Sequence, residues 1–193
     1  MELIKNYLWT ETTDEIDNKK LFDACLELEV LLRKQFKGPP IGEKDQQLFT
    51  TSNFDKYNIF TYPNVEIQKL YHLVVSRVKK YLDTDTTYVL QSWLNVYRKG
   101  AFIGWHGHWP TPAKVWHGYY CVNTEGSITS YKVNKEQYDV INHDGLLIVG
   151  RSGEDSHQSS AWDQDVPRIT IGYDIIPVES INQRKINHYI PIL

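Results

Sequence analysis

His106 and His108 flank Gly107 between Trp105 and Trp109, and a third histidine, His157, lies eleven residues before Arg168. Side chains two positions apart on an extended segment point to one face. His106 and His108 are therefore expected to aim both imidazoles at one point, with His157 arriving from elsewhere in the fold. Three convergent neutral imidazoles suit a divalent iron, zinc, copper or nickel ion. The HxH pair alone is equally compatible with two structural histidines, and the downstream residues tilt the reading toward a metal site. Arg168 and Thr170 share one face of a predicted strand, with Ile169 and Ile171 on the other. An inward arginine among apolar β-formers needs an anionic partner. A ligand carboxylate answers that need, because the planar guanidinium grips it through two parallel hydrogen bonds. Without the histidines, an outward arginine with no ligand would be the favoured reading.

The other histidines carry less information. His72 falls within a helical pattern and His143 and His188 neighbour polar residues, so all three read as ordinary surface or half-buried side chains. His117, in Trp116-His117-Gly118-Tyr119-Tyr120, sits on a predicted strand, where a hydrogen-bonding role is favoured over ligation.

These residues need a scaffold, and the chain supplies two kinds. In the first third, Leu21, Phe22, Cys25, Leu28, Leu32 and Phe36 recur at helical steps, and Gly38-Pro39-Pro40 ends the run. A polar stretch from Gly42 to about Tyr62 reads as a long ordered loop with short turns. Asn64 is a good N-cap for a second helix, whose face continues through Leu70, Leu73, Val74, Val78, Tyr81 and Leu82. From Tyr88 the pattern changes to strands, expected at Tyr88–Tyr97, Val115–Val122, Ser127–Val133, Tyr138–Ile141, Leu146–Val149 and Pro167–Ile176. His157 falls in a polar loop beginning at Ser152. Short strands at this spacing argue for a sandwich or barrel with two helices packed outside.

The 193-residue length suits one domain with a substantial core. We divide it into a helical support region over 1–85, a β core over 86–178 and a C-terminal extension over 179–193. Thirteen Tyr and six Trp favour strands and an aromatic-lined ligand pocket. A formal net charge of −3 gives no reason to expect binding to nucleic acid or anionic membrane. Cys25 and Cys121 stand in no metal-binding spacing and read as buried reduced thiols. With no signal-like or membrane-spanning apolar run, a cytoplasmic protein is the expectation.

The pattern Tyr97-x2-Gly100-x5-His106-x-His108, then His157, then Arg168-x-Thr170, resembles the non-haem iron, 2-oxoglutarate-dependent dioxygenases of the prolyl-4-hydroxylase-like superfamily. Ser92-Trp93-Leu94-Asn95-Val96, Gly118-Tyr119-Tyr120 and Arg168-Ile169-Thr170 look like strands of the oxygenases common in marine phages and bacteria. A phage-encoded chain would act in the host cytoplasm. The likeness covers roughly residues 88–177 and leaves the helical part without a diagnostic motif. It implies a mainly β fold with added helices: a double-stranded β-helix, the cupin-like jelly roll, with the N-terminal helices outside.

Carried over residue by residue, the resemblance makes His106 and His157 ligands of Fe(II). It places Arg168, with Thr170 and Tyr97, on the distal carboxylate of the cosubstrate 2-oxoglutarate. Trp93, Tyr119 and Tyr120 become pocket-lining candidates. The implied reaction uses O2, releases succinate and CO2, and hydroxylates a small-molecule or peptide substrate. The usual facial triad has a carboxylate where His108 stands. Either His108 ligates, or a carboxylate such as Asp155 completes the triad, or iron binds weakly or not at all; we favour His108. Two rivals stay open: a three-histidine cupin-type metalloenzyme that does not use 2-oxoglutarate, and a non-catalytic jelly-roll binding protein.

Overall fold

From Tyr88 onward, antiparallel strands dominate the chain. The computed structural model describes residues 2–4, 8–35, 47–53, 57–153, 155–181 and 188–192. Its elements begin with β1 (Glu2–Ile4), β2 (Leu8–Thr12), α1 (Asn18–Gln35), β3 (Leu48–Thr50) and α2 (Val65–Val78). They continue as β4 (Tyr88–Tyr97), β5 (Trp116–Asn123), β6 (Ile128–Val133), β7 (Glu136–Ile141), β8 (Leu146–Arg151), β9 (Asp155–Ser159), β10 (Arg168–Pro177) and β11 (Ile190–Ile192).

The larger sheet runs β1-β2-β8-β5-β10-β4, and both β3 and β11 pair with the outer edge of β4, at opposite ends. The smaller sheet runs β7-β6-β9. Residues 100–106, between β4 and β5, run alongside β9 and the chain beyond it. Trp162 N–H donates to Ala101 O at 3.0 Å, Ser159 N–H to Ile103 O at 2.9 Å and His106 N–H to His157 O at 3.0 Å. This segment acts as an irregular fourth strand. The two sheets form the double-stranded β-helix that the family resemblance implies, with both helices outside.

The main core lies between the helices and the back of the large sheet. Leu21, Cys25, Leu28 and Leu32 form the buried stripe of α1, and Ile67, Leu70, Leu73, Val74 and Val78 that of α2. They meet Leu90, Leu94, Val96, Ile169, Ile171, Tyr173 and Ile175 of β4 and β10. Asn64 caps α2 as expected, its side chain accepting from the N–H groups of Glu66 and Ile67. A second cluster, including Leu8, Cys121, Tyr131, Val133 and Ile148, fills the space between the sheets.

Polar ties fix the helices to the sheet. Glu29 is buried on α1 and receives Arg98 Nη1 at 2.9 Å and Nη2 at 2.8 Å, anchoring the turn that follows β4. Asn58 is buried with every amide group used: Nδ2 donates to Leu90 O and His188 O, and Oδ1 accepts from Phe60 N–H and Ser92 Oγ.

Several expectations change. The chain is not helical throughout its first third, because β1 and β2 precede α1 and extend the large sheet. Leu8 and Thr10 are buried on alternate positions, a signal too short to register beside an 18-residue helix. The stretch from Gly42 to Tyr62 contains β3; residues 42–46 and 54–56 lie outside the described residues, as do Phe36 and Gly38-Pro39-Pro40. His157 is in a strand, β9, rather than a loop. Its polar sequence, Asp-Ser-His-Gln-Ser, lacks the β-branched and aromatic residues by which strands are recognised.

Candidate metal centre

Three adjacent strands present one face to the cavity. Antiparallel register sets Gln91, Asp174 and His117 in one row, and Trp93, Gly172 and Tyr119 in the next. Asn95, Thr170 and Cys121 make the third row, and Tyr97 opposes Arg168 at the end. On β10 this face is therefore Arg168, Thr170, Gly172 and Asp174, a strict period of two. Gly172 leaves room where Trp93 crosses it: a Cβ there would lie 2.6 Å from the indole. The cavity lined by these residues and the histidines is narrow, with about 60 Å³ open to water.

His106, His108 and His157 converge at one end, each offering a ligand atom within 4.8 Å of the other two. The convergence does not arise as expected. His106 and His108 are not on a regular strand; His106 forms an isolated bridge with His157, and Trp109 N–H is tied to Ser152 Oγ at 2.9 Å, so the segment between them brings both rings inward. Each ring is oriented through Nδ1. His106 Nδ1 lies 2.8 Å from Gly104 O, His108 Nδ1 2.8 Å from Asp174 Oδ1, and His157 Nδ1 2.9 Å from Asp155 Oδ2. A backbone carbonyl and carboxylate oxygens accept here, so Nδ1 carries a proton in all three and Nε2 is the ring nitrogen left for a ligand. This arrangement, an imidazole backed by an acceptor, is how protein histidines are prepared for metals.

Charge is distributed unevenly. Burial, reinforced by His157, pushes His106 down to about 4. Burial also lowers His108, but the adjacent Asp174 outweighs it and the imidazole ends above its ordinary value. Asp174 shows the reverse balance: burial raises it, and His108 with Trp109 holds it below the ordinary carboxylate value. Its second oxygen receives Trp109 Nε1–H at 2.9 Å. His117, pushed down to about 3 by burial, is a neutral ring whose Nε2 stands 3.5 Å from Asp155 Oδ1. His117, Asp155 and His157 form a second cluster of ligand-type atoms. There the carboxylate meets His157 on its Nδ1 side, so we read Asp155 as a support for that ring.

At the far end of the cavity, Arg168 is 1% exposed, with Nε and Nη1 buried and without hydrogen-bond partners. Its guanidinium carbon lies 4.7 Å from the centre of the Tyr97 ring. Asn95 Nδ2 reaches Thr170 Oγ1 at 3.3 Å, while Asn95 Oδ1 is buried without a partner. Burial raises the Tyr97 phenol despite the nearby arginine, so it is a neutral donor. A buried guanidinium with idle donors is costly, and a carboxylate entering the cavity would meet it.

The structure thus gathers His106, His108, His157, Tyr97, Arg168 and Thr170 around one cavity. Trp93 and Tyr119 also line it, but Tyr120 does not. The alternation of β5 turns Tyr120 to the helix side, where its hydroxyl donates to Asn18 Oδ1 at 2.7 Å. His188, expected at the surface or half-buried, is buried. Sequence reasoning missed Asp174, although it lies on the same period-two face of β10 as Arg168 and Thr170. A wider groove of about 530 Å³ opens from the histidine end, lined by Leu48, Gln91, Trp93, Ile103, Trp109 and their neighbours.

No protein-family model matches the chain, and no curated protein matches it. Solved structures do. A prolyl hydroxylase from Trichoplax adhaerens, in complex with a hypoxia-inducible factor oxygen degradation domain peptide fragment, superposes with a TM-score of 0.64 at 10% identity, over 91% of this chain and 86% of its own. A non-haem α-ketoglutarate-dependent carbocyclase from nogalamycin biosynthesis gives 0.61 at 12% identity, covering 91% and 84%. A Pseudomonas putida prolyl-4-hydroxylase gives 0.58 at 12% identity, covering 89% and 92%. The chain therefore has the fold of the 2-oxoglutarate/Fe(II) oxygenases.

Proposed function

We propose that this protein is an Fe(II)- and 2-oxoglutarate-dependent oxygenase whose metal is held by Nε2 of His106, His108 and His157. Arg168, flanked by Tyr97 and Thr170, binds the distal carboxylate of 2-oxoglutarate. The observation carrying this reading is the pairing, in one cavity, of three histidines tied through Nδ1 with a buried guanidinium whose Nε and Nη1 lack partners. When bound, the metal and keto acid supply O2-dependent oxidative decarboxylation to succinate and CO2, and hydroxylation of a substrate C–H bond.

The chain's own part is placement. Arg168 and the neutral Tyr97 hydroxyl orient the cosubstrate from its far end, and Gly172 lets the Trp93 indole wall the cavity against water. Among the described residues no lysine or arginine lines the outer groove, and its one carboxylate, Asp174, is occupied by His108 and Trp109. Amides, hydroxyls and indoles there suit an uncharged part of a small molecule or peptide.

The test is anaerobic titration of the purified protein with Fe(II) and then 2-oxoglutarate, following the visible charge-transfer band of the chelated keto acid. The expected result is one iron per chain and a band that His157→Ala abolishes. Iron without a band supports the three-histidine enzyme with Arg168 holding the substrate's own carboxylate. Absence of metal binding supports a binding protein.

A further inference from the structure

The usual triad gives iron one negative ligand, and three neutral imidazoles give none. The structure holds an anion directly behind the substituted position. Asp174 is 5% exposed, and its oxygens are taken by His108 Nδ1 at 2.8 Å and Trp109 Nε1 at 2.9 Å. No lysine or arginine of the described residues pairs with it. A buried carboxylate facing one imidazole and one neutral indole is incompletely compensated, and a cation on the far nitrogen of that imidazole would complete it. Trp109 adjoins His108 in sequence, so one short segment supplies both the ring and the donor that fixes the carboxylate.

We propose that Asp174 is a positioning residue that returns the missing charge: His108 and Asp174 act together as one anionic ligand, with the carboxylate moved one side chain outward. This rests on His108 being a metal ligand. It carries a consequence opposite to simple restoration of the usual triad. In His108→Asp the new carboxylate would sit near the present Nδ1 position, facing the Asp174 oxygen now 2.8 Å from it. Like charges at that separation repel strongly in a buried site. The conventional ligand should therefore fail here until Asp174 is neutralised.

The experiment measures Co(II) affinity by calorimetry, without 2-oxoglutarate, together with the Co(II) visible spectrum and the melting temperature of each metal-free protein. Asp174→Asn is expected to weaken binding about 10- to 100-fold, as loss of an outer partner of a ligand histidine does, and to alter the cobalt spectrum. His108→Asp should bind more weakly than wild type, and His108→Asp/Asp174→Asn should bind more tightly than His108→Asp. If Asp174→Asn does not fold, Trp109→Phe, which removes only the indole donor, should give a smaller loss in the same direction. Unchanged affinity in Asp174→Asn, or a His108→Asp protein that binds as tightly as wild type, overturns the proposal. Wild-type cobalt binding without a later keto-acid band defeats the 2-oxoglutarate reading alone, whereas no cobalt binding by wild type defeats both.

Discussion

Arg168 is the residue whose chemistry is most exposed to test. It occupies a fully buried position that a hydrophobic side chain would fill at no electrostatic cost, so its idle donors point to a ligand. Arg168→Gln should weaken 2-oxoglutarate binding roughly 10- to 100-fold, the range expected for lost hydrogen bonds to a charged group, while metal affinity changes little. Calorimetric titration of keto acid into metal-loaded protein measures this, and equal losses for both ligands would make Arg168 structural. At this scale the sequence was readable where residue type alone constrains chemistry: three histidines and an inward arginine. Asp174 was not readable in the same way. An aspartate among apolar strand residues carries no local sign of its partner until His108 and Trp109 are found against it.

Elements decide how those residues meet, and glycines show the tolerance of the arrangement. Gly172 and Gly118 lie on neighbouring strands, yet an added methyl would meet different obstacles. At Gly172 it would press on the Trp93 indole at 2.6 Å, a side chain that can tilt into the cavity. At Gly118 it would meet the carbonyl oxygen of Ile148 at 1.9 Å and the Tyr173 hydroxyl at 2.6 Å. Neither can move easily, since Tyr173 donates to Ile148 O across the gap that Gly118 leaves. Gly172→Ala should therefore keep the fold and weaken cosubstrate binding. Gly118→Ala should lose stability by about 3 kcal/mol or more, beyond the usual range for overpacking. Thermal melts paired with keto-acid titration separate the two outcomes. The long strands, β4 and β10, were legible because β-branched, aromatic and leucine side chains dominate their ten-residue runs. Strand β9 was not, because its hydrogen bonds to β6 and to residues 103–106 come from distant segments that no local pattern reports.

For the whole molecule, buried histidines make stability depend on acidity. His106 and His117 titrate near 4 and 3 in the folded state against an ordinary 6.5, in both cases chiefly through burial. Between those values the unfolded chain binds more protons than the folded one, so stability is complete above 6.5 and falls as the pH drops. His108 acts in the opposite sense, since its raised value favours the protonated folded state, but it is one ring against two. The urea midpoint of metal-free protein should decrease from pH 6.5 to about 4; an unchanged or rising midpoint would contradict the neutral burial of these rings. The overall architecture was legible because strand periodicity and turn residues recur throughout the second half. The N-terminal strands became evident only with β8 beside them. Residues 100–106 join β9 along a seam. His106 and His157 exchange backbone hydrogen bonds across it, at 3.0 and 2.8 Å, and their rings reach the same point. An ion gripped from both sides would act as a rivet, so the seam's amide protons should trade with heavy water far more slowly once it is in place. Occupancy becomes readable as a clock on two backbone amides, with no turnover required.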